Sequence, residues 1–270
     1  MLDFAIDNCV NKNITEERGI EMISIAPYIS VDKRNEDVRQ WLTELQFVWQ
    51  ALNAATQAIP VVGGDGALLD AIHERYAIQL PFFGINRGTC GFLLNPIGTK
   101  EELVKALESF DDWRLIELQM LRIKLKLLDG SIKEIFAFND FFVKALSGEI
   151  SGVVRGEHFP EQTFRGDGLI VSTPQGSTAY NKSAGGSILP LGKGLMAVTS
   201  ICSAIADLRL VVSGQQIEID VDGDLSIFCA DRFKSTGCVS ATITPDGPKV
   251  DLAFLLDYDF ESRRYRPRFK

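Results

Sequence analysis

Residues 59 to 86 open with IPVVGGDGALLDAIHERY and close with PFFGIN. A short apolar run stops at glycines, an amphipathic stretch follows, and a second apolar run ends the segment. That order is strand, turn, helix, strand: a β-α-β unit whose two strands run parallel. Leu68, Leu69, Ile72 and Tyr76 share one face of the intervening helix, which is expected to start near Ala67. A second helix is expected from Thr99 through ELVKALESF, with Glu102 completing a capping box. These elements predict an open α/β layer.

After Trp113 the texture changes. LRIKLKLLDGSIKEIFAF alternates apolar and polar residues on both sides of Asp129-Gly130, a hairpin signal, and the alternation returns in QQIEIDV, DLSIFCAD, CVSATITPDG and KVDLAFLL. A chain of 270 residues is long enough for two modest cores. The boundary is placed near Phe110: an α/β domain over 1–110, a β-rich domain over 111–250, and residues from about 251–270 returning to the first, because termini tend to lie near one another at the surface. Before Thr56 the sequence is least legible. FAID could open as a strand, and VRQWLTELQFVWQAL places Trp41, Leu42, Leu45, Val48, Trp49 and Leu52 at helical spacing.

A net charge of -8 argues against a nucleic-acid partner, since affinity for phosphate backbones rests on clustered Lys and Arg. The basic tail SRRYRPRFK, Ser262 to Lys270, is read as a strand or arm docked on an acidic body, with a nucleic-acid or membrane patch as the alternative. Apolar runs such as DLAFLLDY are far shorter than the ~20 residues a bilayer span needs, and MLDFAIDN does not have the pattern of a signal peptide. No membrane partner and a cytoplasmic location are therefore expected. Cys9, Cys90, Cys202, Cys229 and Cys238 are scattered with no CxxC pair, so neither a zinc site nor a disulfide framework is expected. The two histidines, His73 and His158, offer little material for Ser-His-Asp or Cys-His chemistry, and His73 reads as a surface or packing residue.

The glycines carry the chemistry. There is no GxxxxGK[ST] and no GxGxxG after a strand, which removes both the lysine-based phosphate loop and the usual dinucleotide fingerprint. In GGDG, Gly63, Gly64 and Gly66 let a ligand approach main-chain N–H groups, and the following helix offers its positive end to an anion. Asp65 would repel a phosphate there unless a divalent cation or a ligand hydroxyl intervenes, and both point to phosphoryl transfer. The alternative is a turn whose aspartate caps the helix. On this motif alone both readings stay open. A second cluster, FRGDGLIVSTPQGSTAYNKSAGGSILP at Phe164 to Pro190, offers neutral donors and acceptors suited to a base edge or ribose, with Tyr180 able to stack on a ring. Read without context it could equally be a Ser/Gly-rich surface loop.

GGDG, then GINRGTCGFLLNP at Gly84 to Pro96, FND at Phe138 to Asp140, and GDGLIVSTPQGSTAYNKSAGG occur in the order and approximate spacing of the NAD kinases. The chain resembles that family well from Pro60 to Pro190 and more weakly beyond. GGDG alone also occurs in diacylglycerol and sphingosine-type lipid kinases and in phosphofructokinases, so the second block carries the resemblance.

The resemblance implies an N-terminal Rossmann-like α/β domain and a C-terminal β-sandwich-like domain with NAD between them. The implied reaction is transfer of a phosphoryl group from ATP, or polyphosphate, to the 2'-hydroxyl of NAD, with Mg²⁺ or Mn²⁺ bridging the phosphates, in a homodimer or homotetramer. It makes Asp65 the catalytic proton acceptor, with Gly66 in the same loop. It places the adenosine portion on Asn139 and Asp140, the nicotinamide side near Arg165 and Asp167, and the adenine and ribose on Thr178, Ala179, Tyr180, Asn181 and Ser183, with Asp231 a further contact. No residue is implied as a metal ligand. Asp140 replaces the family's usual glutamate and is shorter by about 1.5 Å of reach, and Ala67 stands where threonine is common. A lipid kinase, which would need an acyl slot, and a catalytically weak dinucleotide-binding regulator are the alternatives.

Overall fold

The computed structural model describes residues 58–109, 112–222 and 226–265 and the backbone of Tyr28–Ile29. It divides into two compact units. The first gathers the described residues up to Ala71, then Ile78–Leu115 and Leu252–Tyr258; the second gathers Ile72–Ala77, Ile116–Asp251 and the described residues from Asp259 onward. The expected FAID strand, the helix over VRQWLTELQFVWQAL, Cys9 and the end of the basic tail lie outside the described residues.

In the first unit, β1 (Tyr28–Ile29), β2 (Ile59–Gly63) and β3 (Phe82–Asn86) pair in parallel, with Ile59 opposite Phe82 and Gly63 opposite Asn86. All five residues of β2 and four of the five in β3 are buried, as in a parallel sheet covered on both faces. The strand Lys249–Leu255 joins β3 in parallel, Leu252 opposite Phe82, and β4 (Trp113–Gln119) follows it. Fully buried Asn95 links β3 to that late strand. Its Nδ2 donates to the Gly84 and Ala253 carbonyls at 3.0 Å each, and its Oδ1 accepts the Leu255 N–H at 2.9 Å.

Helix α1 (Asp65–Arg75) starts two residues before the expected position. The reason is local: the Gly64 carbonyl accepts the N–H groups of Ala67 and Leu68 at 3.0 and 3.2 Å, so the first turn closes on Gly64. Leu68, Ala71 and Ile72 are its buried residues, while Leu69 and Tyr76 are half-buried. Helix α2 (Lys100–Glu108) carries the predicted capping box, Thr99 Oγ1 accepting the Glu102 N–H and Glu102 accepting the Thr99 N–H. Val62, Phe83, Ile85, Ile97, Leu103 and Ala253 form this unit's core. Trp113 stacks on Phe83 with centroids 4.3 Å apart, and its Nε1–H donates to the Ala106 carbonyl at 2.9 Å.

The second unit is antiparallel. The predicted hairpin forms from β5 (Leu121–Leu127) and β6 (Ile132–Ala137), with Gly130 at φ 83° in the turn. Next come β7 (Asp140–Ala145), β8 (Ile150–Gly156), β9 (Phe159–Ser172), β10 (Leu195–Ser203), β11 (Arg209–Ser213), β12 (Ile217–Asp222), β13 (Ser226–Ala230), β14 (Phe233–Thr236) and β15 (Cys238–Thr244). The sheet runs β14-β13-β7-β9-β8-β12-β15-β5-β6, and β10-β11 branches from β9. That branch is a consequence of the length of β9: its first part pairs with β8, and from Gly166 onward it pairs with β10 and then β7. Gly166 sits at φ 153°, where a Cβ would lie 2.4 Å from the Cys202 carbonyl, so the RGDG glycine is required by the strand crossing itself. One core cluster, including Leu125, Phe141, Phe164, Val198, Ile219 and Phe228, lies inside this folded sheet. The fold is thus a mixed α/β chain: a parallel α/β layer and a β-sandwich-like body. No helix among the described residues is long and apolar enough to cross a membrane.

Candidate functional site

Asp65 is the first residue of α1, and its carboxylate is held by backbone from the segment after β3. Oδ2 accepts the Phe92 N–H at 3.0 Å and Oδ1 the Leu93 N–H at 3.1 Å. Two glycine segments meet to build this: Gly63 accepts the Arg87 N–H at 2.8 Å, and a Cβ on Gly88 would lie 2.9 Å from the Gly64 Cα. Gly66, next along, is exposed. A half-exposed carboxylate at the positive end of a helix, with both oxygens oriented by N–H donors, is an anion with fixed lone pairs.

In the second unit the organising group is Asp231. Its side chain is fully buried, and its oxygens accept the N–H groups of Phe138 at 2.5 Å, Asn139 at 3.0 Å and Asp140 at 3.3 Å, with His73 Nε2 at 2.7 Å. Asp231 adopts φ 50°, a left-handed conformation that Asp tolerates better than most residues. The FND segment is therefore wrapped around one carboxylate. Asp140 is 5% exposed, and burial, followed by the nearby Asp231 charge, pushes its carboxyl up to about 7.

The loop after β9 closes on the same segment. Gln175 Nε2 donates to the Phe138 carbonyl at 2.8 Å, and the Thr173 N–H donates to the Asn139 carbonyl at 2.9 Å. A Cβ on Gly176 would lie 2.0 Å from that same carbonyl, so the glycine of PQGS allows a backbone contact no other residue permits. A 3₁₀ turn over Gln175–Thr178 leads through Ala179 into the short helix α3 (Tyr180–Ser183). Behind the loop stands Arg264, on helix α4 (Phe260–Arg264), with no exposure; it donates to the Pro174 carbonyl and to Ser177 Oγ. Burial holds its guanidinium below the usual arginine value.

Sequence comparison connects both units to one group of proteins. A family model described as the ATP-NAD kinase N-terminal domain matches residues 1–112, and one described as the ATP-NAD kinase C-terminal domain matches 150–235. The chain belongs to the NAD kinase family. NAD kinase of Rickettsia typhi is 36% identical over 154 residues, 54% of this chain and 57% of that protein. NAD kinase of Rickettsia bellii is 38% identical over 152 residues, 54% and 56% respectively. The chain thus matches just over half the length of these curated relatives. Among solved structures, an NAD kinase from Archaeoglobus fulgidus in complex with ATP superposes with a TM-score of 0.65 at 23% identity, covering 87% of this chain and 94% of that one. A yeast NADH kinase complexed with NADH gives 0.64 at 18% identity, covering 77% and 65%. At these identities the structural likeness speaks for the fold.

Within this NAD kinase family member, Asp65 and Gly66 lie in the first unit, and the other residues that the motifs single out lie in the second. Half-buried Asn139 and buried Asp140 are adjacent to the TPQGSTAY loop through its contacts with Phe138 and Asn139. Thr178 is buried, Tyr180 packs edge-on against Phe142 at 5.1 Å, and Ser183 is exposed. Asn181 is fully buried with its amide used internally: Oδ1 accepts from Thr199 Oγ1 at 2.7 Å, and Nδ2 donates to the Ser187 and Ser177 carbonyls at 2.9 and 3.3 Å. Its side-chain amide thus holds the loop closed from inside. Arg165 is exposed and paired with Glu149, and Asp167 accepts the Cys202 thiol, a bond that pushes that thiol up. The Asp231 carboxylate, expected as a further substrate contact, holds the FND backbone.

Sequence reasoning missed the His73–Asp231 bond, which spans 158 positions and has no local signature. It also missed buried Arg264. The tail was expected as a strand or arm; α4 is a helix that places Arg264 under the Pro174–Ser177 turn.

Asp140 makes stability depend on pH. Its folded value lies above the ordinary 3.8, so its contribution is full below that value and is lost as pH rises through about 7. Asp140→Asn, which cannot ionise, is expected to gain on the parent by on the order of a few kcal/mol between about pH 4 and pH 8. Thermal midpoints of the two proteins across that range check this; a constant gap would refute it.

Proposed function

We propose that the chain is an NAD kinase, transferring the terminal phosphoryl group of ATP, or of polyphosphate, to the 2'-hydroxyl of the NAD adenosine ribose. The observation that carries this reading is the Asp65 carboxylate, oriented by the Phe92 and Leu93 N–H groups at the start of α1. Asp65 takes the proton of the 2'-hydroxyl as its oxygen forms a bond to the terminal phosphorus. The bond to the bridging oxygen breaks, and ADP leaves with that electron pair, giving NADP. Gly66 and the glycine turn admit the phosphates. Asn139, Asp140, Thr178, Ala179, Tyr180, Asn181 and Ser183 receive the adenosine, the Asn181 side chain also fixing their loop, and Arg165 and Asp167 serve the nicotinamide side.

Among the described residues, no group of three or more His, Cys, Asp or Glu side chains is arranged to hold a metal ion. An Mg²⁺ or Mn²⁺ would then be carried chiefly on the ATP phosphates and water, with Asp65 the loop carboxylate able to join it. Bound there, the cation would offset phosphate charge. We place the enzyme in the cytoplasm as a homodimer or homotetramer acting on small molecules. Incubation with ATP, Mg²⁺ and either NAD or diacylglycerol tests the reading: NADP is expected. Phosphorylated lipid would instead make it a lipid kinase, and NAD binding without NADP from any donor would make it a regulator.

A further inference from the structure

We propose that Asn86 is a positioning residue for Asp65, a role that rests on the kinase reading above. Asn86 ends β3, and the segment that pins Asp65 is folded around its side chain. At the start of that segment the Gly88 N–H donates to Asn86 Oδ1 at 3.0 Å. In the middle, Gly91 at φ 58° lies so close that a Cβ would fall 2.2 Å from Asn86 Cγ, 2.3 Å from Oδ1 and 2.5 Å from Nδ2. At the end, the Asn86 backbone N–H donates to the Asn95 carbonyl at 2.9 Å, and Asn95 is itself tied to Gly84, Ala253 and Leu255.

Gly91 is followed immediately by Phe92 and Leu93, whose N–H groups reach the two Asp65 oxygens at 3.0 and 3.1 Å. Phe92 and Leu93 are buried, so their amides can shift only if the turn behind them shifts. That turn has Asn86 as its inner wall. The side chain fits the space because residue 91 has no Cβ, and the left-handed conformation at Gly91 aims the next N–H groups back across the loop. The carboxylate's aim is thus set from β3 by a residue that touches neither proton nor phosphate. An error of about 1 Å at a reacting group can cost on the order of a hundredfold in rate.

The test compares Asn86→Ala, Asn86→Asp and Gly91→Ala with the parent, reading kcat, KM for NAD, thermal midpoint, and hydrogen exchange of the Phe92 and Leu93 amides. Asn86→Ala is expected to lower kcat about 10- to 100-fold with KM within roughly threefold, and to speed exchange at Phe92 and Leu93 while β2 and β3 amides stay protected. Asn86→Asp keeps the acceptor for the Gly88 N–H and should restore most of that protection and turnover. Gly91→Ala should reproduce the loss, and less severely in the Asn86→Ala background, where its Cβ has room. Unchanged exchange at Phe92 and Leu93, or a kcat within threefold of the parent in Asn86→Ala, overturns the proposal. If the parent makes no NADP, the kinase reading fails separately, and the exchange rates alone decide whether Asn86 positions Asp65.

Discussion

On the proposed reaction, Asp65→Asn is expected to lower kcat by about a thousandfold while leaving the Kd for NAD within roughly threefold, because it removes the proposed proton acceptor, which would act only as the bond forms. The substitution nearly preserves shape, which separates chemistry from packing. An amide has one acceptor oxygen, so it can satisfy only one of the Phe92 and Leu93 N–H groups as the carboxylate does. The other loses its partner at a cost of about 1–3 kcal/mol. That cost should appear as a modest fall in thermal midpoint and cannot account for a thousandfold loss in turnover of folded enzyme. Single-turnover kinetics with saturating ATP and NAD, with NAD binding measured by calorimetry, checks both halves. Turnover within tenfold of the parent would remove Asp65 from proton transfer.

Asp231→Asn should have the largest effect on stability. The buried carboxylate accepts from the N–H groups of Phe138, Asn139 and Asp140 and from His73. An asparagine turns one acceptor into a donor facing donors, leaving buried groups unpaired, and a loss of about 3 kcal/mol is expected. For a chain of this size that corresponds to a fall of roughly 6–12 °C in thermal midpoint. Asparagine also tolerates the φ of 50° at this position, so backbone strain does not confuse the result. Because the same bonds shape the segment proposed to receive the adenosine, KM for NAD should rise about tenfold in the folded fraction. His73→Ala, which removes one of the four partners, should show a smaller version of both effects. A midpoint within about 2 °C of the parent in Asp231→Asn would show that the FND segment is held by other means.

Local regularities carried much of the fold. The β2-α1-β3 unit, the Thr99 capping box and the hairpin around Gly130 each depend on residues within a few positions of one another, and each formed where periodicity and turn chemistry placed it. The start of α1 moved by two residues because a backbone carbonyl, that of Gly64, closed the first turn, and no side chain announces that. The family was legible as well, since GGDG, FND and the STPQGSTAY block are specific as an ordered set.

What the sequence determined, then, was which residue types stand where glycines and carboxylates are needed. Only the tertiary structure decided what each one does. It made Asp231 the anchor of the FND backbone, engaged the Asn181 amide within its own loop, buried Arg264 beneath that loop, and gave Asp65 its two amide donors. The reason is physical. Hydrogen bonds from buried backbone N–H groups go to whichever acceptor the packed chain brings within about 3 Å. That acceptor can lie 27, 91 or 160 positions away, with nothing in the intervening sequence to mark the pair.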